Sequence, residues 1–174
     1  MDAVAMNPAP HALRAPGAPG TAAEAAKQFI TFTLGAEEYG VDIMQVREVK
    51  GWTETTVLPK SPHYMRGVIN LRGVIVPILD LRARFDMGST TPSPLHVVII
   101  VVTASRLTGL LVDAVSDIIS VEGGAVRPVP EVGPSVGEDF LDGLVALGER
   151  MVALVSLDGL IGAAVGRAAD GDLQ

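Results

Sequence analysis

The chain has 174 residues, 48% hydrophobic and 19% charged, with a net charge of −7 and no cysteine. That is material for one domain, or for two very small ones sharing a core, and it excludes a wholly disordered chain. An acidic chain with no basic run does not suit phosphate backbones or anionic membranes, and the lack of thiols removes disulfides, thiolate nucleophiles and Cys-ligated metals.

Residues 1–26 are mostly Ala, Pro and Gly and predict a flexible tail. Asp2, Pro8 and Pro10 stand where a secretory signal would carry a basic start and an apolar stretch, so the cytoplasm is the expected compartment. A folded domain is predicted over residues 27–165, followed by a flexible end at 166–174. Ile30, Phe32 and Leu34 alternate with Thr31 and Thr33, the period of a half-buried strand, and Gly35 to Glu38 turns the chain back. Gly67 to Leu81 reads as a hairpin turning near Asn70 to Gly73. Pro77 is assigned to an edge or a bulge because it cannot donate to a ladder. Asp80 is placed to cap a short helix from Leu81 to Phe85, and the polar stretch Asp86 to Pro94 is a connection.

The second half then repeats the first. Val97 to Thr103, a turn at Ser105 and Arg106, and Leu107 to Asp113 echo the opening hairpin. Val112-Asp113 leading to Val115, Asp117 and Ile118 echoes Val41-Asp42 leading to Val46, Glu48 and Val49, with a spacing that differs by two residues. Gly143 to Asp158 echoes Gly67 to Leu81, and a helix follows from Leu157 to Val165. The units, near 28–85 and 95–163, have too few strands to bury an apolar face alone, which favours small barrels packed on each other. Which unit pairs with which stays open. The longest apolar run, Val97 to Val102, is far short of the about 20 residues a membrane helix needs, so no direct membrane insertion is expected.

Chemistry is sparse. His11, His63 and His96 have no partner at metal-ligand spacing, and no nucleophile elbow, P-loop or dinucleotide fingerprint occurs. Asp42, Asp80, Asp113, Asp117 and Asp158 end apolar strands, where capping is the ordinary role. Asp42 and Asp113 read as symmetric structural residues. Aromatic residues make up 4% of the chain and are scattered, which argues against base or sugar stacking. No catalytic, metal or cofactor set is predicted, and surfaces that bind proteins remain.

The run Arg66-Gly67-Val68-Ile69-Asn70-Leu71-Arg72-Gly73-Val74-Ile75-Val76-Pro77-Ile78-Leu79-Asp80-Leu81 resembles the signature of the CheW chemotaxis coupling proteins. The similarity extends over nearly all of Gln28 to Gly162, including Glu38-Tyr39-Gly40-Val41-Asp42 and Gln45-Val46-Arg47-Glu48-Val49. It implies a mainly all-β fold of two intertwined, five-stranded SH3-like barrels sharing a core, with short helices including one near the C-terminus. It also implies a non-catalytic cytoplasmic adaptor, recruited to receptor arrays at the inner face of the membrane. Its partners would be the cytoplasmic tips of methyl-accepting chemoreceptors and the regulatory domain of a CheA-type histidine kinase. Carried over by position, the receptor-facing groove would include Val46, Glu48, Gly67 and Arg72, with Val97 and Val98 as further candidates. Arg72 would hold a charge at the rim of an apolar groove and Val46 would supply burial. Leu107, Leu110, Leu111 and Val115 are the candidates for kinase contact. Competing readings are an adaptor of a pilus-motility or other chemosensory pathway, a detached kinase regulatory domain, and a small β-barrel enzyme or ligand-binding protein.

Overall fold

The computed structural model describes residues 26–130 and 140–161. The expected tails at 1–26 and 166–174 lie outside these residues, apart from position 26. Ten strands carry the fold: β1 (Lys27–Leu34), β2 (Glu37–Asp42), β3 (Val46–Gly51), β4 (Met65–Leu71), β5 (Val74–Asp80), β6 (Val97–Thr103), β7 (Arg106–Val112), β8 (Ala114–Val121), β9 (Leu141–Leu147) and β10 (Arg150–Val155). The one short α-helix bounded within the described residues, α1, is Leu81–Arg84. A second helix begins at residue 157 and is followed to residue 161.

Burial divides along the period-two alternation, with both faces of the inner strands covered. On β1, Ile30, Phe32 and Leu34 enter a central cluster that also holds Leu79, Leu81, Ile99, Val101, Leu110 and Leu160. Phe29 instead joins Val145, Val152 and Leu154 in a second cluster. On β6, Ile99 and Val101 face the central cluster, whereas Val98 and Ile100 pack with Ile69, Val76 and Ile78 in a third. This explains the unbroken apolar run of β6: a strand buried on both faces has no polar side to alternate with.

The strands form two five-stranded sheets, ordered β8-β1-β2-β10-β9 and β3-β6-β7-β5-β4. The opening hairpin therefore pairs with the last one, through parallel β2 and β10, and the two middle hairpins pair through parallel β5 and β7. Each strand that follows a leading hairpin crosses over, β3 to β6 and β8 to β1. Each sheet is then closed into a barrel by backbone bonds from the segment just past its edge strand. Thr56 and Val68 exchange N–H···O bonds of 2.9 Å, and Arg127 and Leu144 exchange bonds of 2.8 Å. The sheet running from β8 to β9 is the first barrel and the other is the second.

Several local expectations are refined. Ala104 and Ser105, not Ser105 and Arg106, form the turn between β6 and β7; both have positive φ, 48° and 66°, and Thr103 pairs with Arg106. Two left-handed residues give a hairpin turn whose twist matches its strands. Pro77 lies on β5, an interior strand rather than an edge. Antiparallel pairing to β4 includes it, but the parallel ladder to β7 begins only at Ile78. Asp80 caps α1 as expected, accepting from the Arg82 N–H at 3.1 Å, and Ser156 rather than Asp158 does this at the later helix, accepting from the Gly159 N–H at 3.2 Å.

The two-residue offset between repeats disappears in three dimensions. Gly40 lies beside Leu154, and Gly109 lies beside Ile78. Because Leu154 and Ile78 hold the same place in their hairpins, Gly40 matches Gly109, which sets Asp42 against Leu111 and leaves Asp113 matching Met44. Asp42 and Asp113 are thus not symmetric. Asp42 caps a local 3₁₀ turn through the Met44 N–H at 2.9 Å, whereas Asp113 is a long-range hub. No helix among the described residues is long and apolar enough to cross a membrane.

Candidate functional site

Two residues between β4 and β5 set the geometry of the most exposed candidate. Arg72 and Gly73 turn the chain with φ of 51° and 90°, and the Asn70 Oδ1 accepts from the Gly73 N–H at 2.8 Å. Non-glycine residues pay about 1–2 kcal/mol for left-handed φ, so Arg72 is held in a conformation that its own backbone disfavours. Its side chain remains 71% exposed, and the guanidinium pairs with the carboxylate of Glu48. Glu48 lies on β3 and Arg72 on the β4 hairpin, at opposite edges of the second sheet. The pair therefore bridges the seam of that barrel beside the Thr56–Val68 closure.

Val46 precedes Glu48 on the same edge strand and is half-buried against the central cluster. Arg47 is the extra residue of a bulge between them, where the register to β6 shifts. Gly67 is at the far end of β4 from the turn, with φ of 138°, and a Cβ there would lie 2.3 Å from the Thr56 carbonyl oxygen. Its role is to let the closing segment approach. Gly143, its match on β9, does the same for Arg127, whose carbonyl oxygen would be 2.8 Å from an added Cβ. The sequence reading missed this pairing, although both glycines stand at the same place in the repeated hairpin.

The remaining candidates separate by burial. Val97 and Val115 are half-buried against the central cluster, and Leu107 is half-buried against the core of the second barrel. Val98 is 1% exposed, and Leu110 and Leu111 are fully buried. These three are corrections: their side chains fill the cores and have no surface to offer a partner. The structure thus brings Glu48 and Arg72 into contact, keeps Val46 beside them, and leaves the rest elsewhere.

Asp113, which the sequence offered only as a capping residue, and Arg82, which it did not single out, form the junction between the barrels. The Asp113 carboxylate accepts from Arg82 Nε at 3.1 Å, from Arg82 Nη2 at 2.6 Å, and from the Gly35 N–H at 2.7 Å. His96 Nε2 is 3.6 Å away. The Arg82 hydrogen bonds, aided by the Gly35 N–H and the nearby charge, hold the Asp113 carboxyl below its usual value despite partial burial. Arg150 does the same to Glu38 through a bidentate pair at 3.1 and 2.6 Å. A depressed folded-state value stabilises the protein above the unfolded carboxylate value near 4, and that contribution is lost as pH falls through the folded value. Asp113→Asn is expected to cost about 1–2 kcal/mol at neutral pH and to flatten the fall in thermal midpoint below pH 5; parallel wild-type and variant melts check this.

No three His, Asp or Glu side chains among the described residues are grouped to hold a metal ion. The described histidines are engaged locally, His63 edge-on to Tyr64 and His96 accepting the Ser93 N–H through Nδ1 at 3.0 Å. Aromatic residues scattered in sequence gather between the barrels, where Phe32, Tyr39, Phe85 and Phe140 follow one another at 5.2 to 5.8 Å. What the surface offers is an exposed, oriented ion pair on an apolar β-framework.

Comparison with known proteins shows the family. A family model described as the CheW-like domain matches residues 28–165. A probable chemotaxis protein CheW of Rhizobium etli is 44% identical over 134 residues, covering 77% of this chain and 86% of the relative. Chemotaxis protein CheW of Klebsiella aerogenes is 43% identical over 135 residues, covering 78% and 81%. The crystal structure of the scaffolding protein TtCheW from Thermoanaerobacter tengcongensis aligns with a TM-score of 0.70 at 34% identity, covering 78% of this chain and 87% of that one. With its double-barrel fold and a family match across almost the whole of its described residues, this chain belongs to the CheW family of chemotaxis coupling and scaffold proteins.

Proposed function

We propose that this protein is a non-catalytic adaptor that joins methyl-accepting chemoreceptors to a CheA-type histidine kinase at the cytoplasmic face of the membrane. The exposed Arg72–Glu48 pair carries the reading. An ion pair this open to solvent contributes about 0–1 kcal/mol to stability, and Arg72 holds it from a backbone conformation that costs at least as much. Its value is therefore in presenting a directed charge beside Val46, whose half-buried side chain offers apolar area at the same edge. A receptor helix with an apolar stripe and a charged flank suits such a surface.

The test is kinase autophosphorylation in a reconstitution of kinase, receptor fragment and this protein. Arg72→Glu places two carboxylates together and is expected to lower activation at least tenfold while the melting temperature stays near that of the wild type. The charge swap Arg72→Glu with Glu48→Arg is expected to keep the fold and restore part of the pair without restoring full coupling. If the wild type does not alter kinase activity with its own partners, the adaptor reading is wrong.

A further inference from the structure

The connection from α1 to β6 is pinned at two points. Asp80 holds Thr90 through its N–H and its hydroxyl. Further on, Ser93-Pro94-Leu95-His96 makes a turn closed by the His96 N–H on the Ser93 carbonyl at 3.0 Å, with Pro94 at the position its fixed φ suits. A second bond runs back across the same four residues, from the Ser93 N–H to His96 Nδ1 at 3.0 Å. Pro92 and Pro94 carry no N–H, so Ser93 supplies the one backbone donor of residues 92–94. Its Oγ lies 3.1 Å from the same ring nitrogen and accepts the Leu95 N–H at 3.2 Å.

This second bond depends on the protonation state of the ring. A ring nitrogen that accepts carries no hydrogen, so the imidazole in this arrangement is neutral, with its proton on Nε2. Antiparallel pairing of Val97 with Val112 sets His96 opposite Asp113, and Nε2 faces the Asp113 carboxylate at 3.6 Å. Arg82 reaches that carboxylate from α1, and the Gly35 N–H reaches it from the turn after β1. A proton on Nδ1 therefore does two things. It turns the acceptor of the Ser93 N–H into a second donor, and it gives the ring a charge that Asp113 attracts and Arg82 opposes. Held below its usual value by Arg82, Asp113 is still ionised when an imidazole takes up a proton.

His96 is also where the turn meets the sheet. Its carbonyl accepts the Trp52 N–H at 3.0 Å, which continues the pairing of β3 with β6 past Gly51 and Val97. Leu95, inside the turn, is 84% exposed. We propose that His96 is a proton-operated catch on the turn before β6: neutral, it fastens the Ser93 N–H and fixes the turn that displays Leu95; protonated, it releases that N–H, loosens the turn and weakens receptor binding. The inference rests on the adaptor reading, with the receptor seated along β3 and the start of β6. Histidine is the side chain whose charge ordinarily changes between pH 5 and 8, so the catch answers to mild acidification.

The test follows the full chain by NMR between pH 8 and 5.5 and measures the Kd of a receptor cytoplasmic fragment by calorimetry at both ends. The His96 ring and the Ser93 amide proton are expected to titrate with one midpoint, the amide moving upfield as its acceptor is lost. The Kd is expected to rise about fivefold on acidification, the equivalent of one hydrogen bond. His96→Asn offers a carbonyl oxygen that accepts without titrating; both responses are expected to vanish, with a Kd at pH 8 within twofold of wild type. His96→Gln, which also does not titrate, replaces it if it fails to fold and is judged on loss of the pH response. A Ser93 amide that does not follow the ring overturns the proposal, as does receptor binding whose pH response is absent from the wild type or unchanged in the variant; the adaptor reading then stands. If the wild type does not bind the receptor fragment at pH 8, both fall.

Discussion

Replacing Gly67 by alanine is expected to remove about 3–5 kcal/mol of folding stability, combining left-handed backbone strain with overpacking. The added Cβ would lie 2.3 Å from the Thr56 carbonyl oxygen and 2.8 Å from its carbon, backbone atoms that cannot swing aside. Relief requires separating Thr56 from Val68 and so losing both closing bonds of the second barrel. For a domain whose whole stability is about 5–15 kcal/mol, that is a large share. Gly73→Ala and Gly51→Ala separate the two causes. Gly73 has φ of 90° with nothing within 4 Å of its added Cβ, and Gly51 has the space with ordinary φ. Urea unfolding should rank the losses Gly67, then Gly73, then Gly51, and equal losses at Gly67 and Gly73 would show that the clash contributes nothing.

The second large effect is expected at Asp80, with Asp80→Ala costing about 3–5 kcal/mol as a buried charged partner is removed. Asp80 is 1% exposed. Besides capping α1, its carboxylate accepts from the Thr90 N–H at 2.8 Å and from the Thr90 hydroxyl at 2.7 Å. Arg66 Nη1 is 3.8 Å away and donates to the Thr90 carbonyl at 3.1 Å. One side chain thus fixes the helix start, the long connection and the flank of the closing hairpin. The side chain of its matching residue in the other repeat, Ser156, makes one hydrogen bond among the described residues, accepting from the Gly159 N–H of its own helix start. Ser156→Ala is therefore expected to cost about 1 kcal/mol, the ordinary worth of a helix cap. Calorimetric melts of the two variants check the contrast, and similar losses would contradict the hub role of Asp80.

Much of the framework was legible because local chemistry decides it. Alternation located the strands, Asn70 to Gly73 located a turn, and Asp80 announced a helix start. The repeat announced two similar units, and the hairpin motif pointed to the family and to Arg72. Glu48 was also legible, but that it touches Arg72 was not, since the two lie on different strands with β6, β7 and β5 between them in the sheet. Asp113 looked like a cap and proved to be a junction, because Arg82 and Gly35 reach it from distant parts of the chain.

Alternation, turn residues and the repeated hairpin, which act between near neighbours in the chain, were enough to specify a β protein of two similar halves in the CheW family. Pairing, closure and burial were decided only in the tertiary structure. Val98 and Val97 look alike in sequence, yet one fills a barrel core and the other remains half-exposed, because the face a strand buries depends on its partner sheet. Pro77 shows the same division: its missing donor is written in the sequence, but that the loss falls on the β7 side follows from the register of assembled strands.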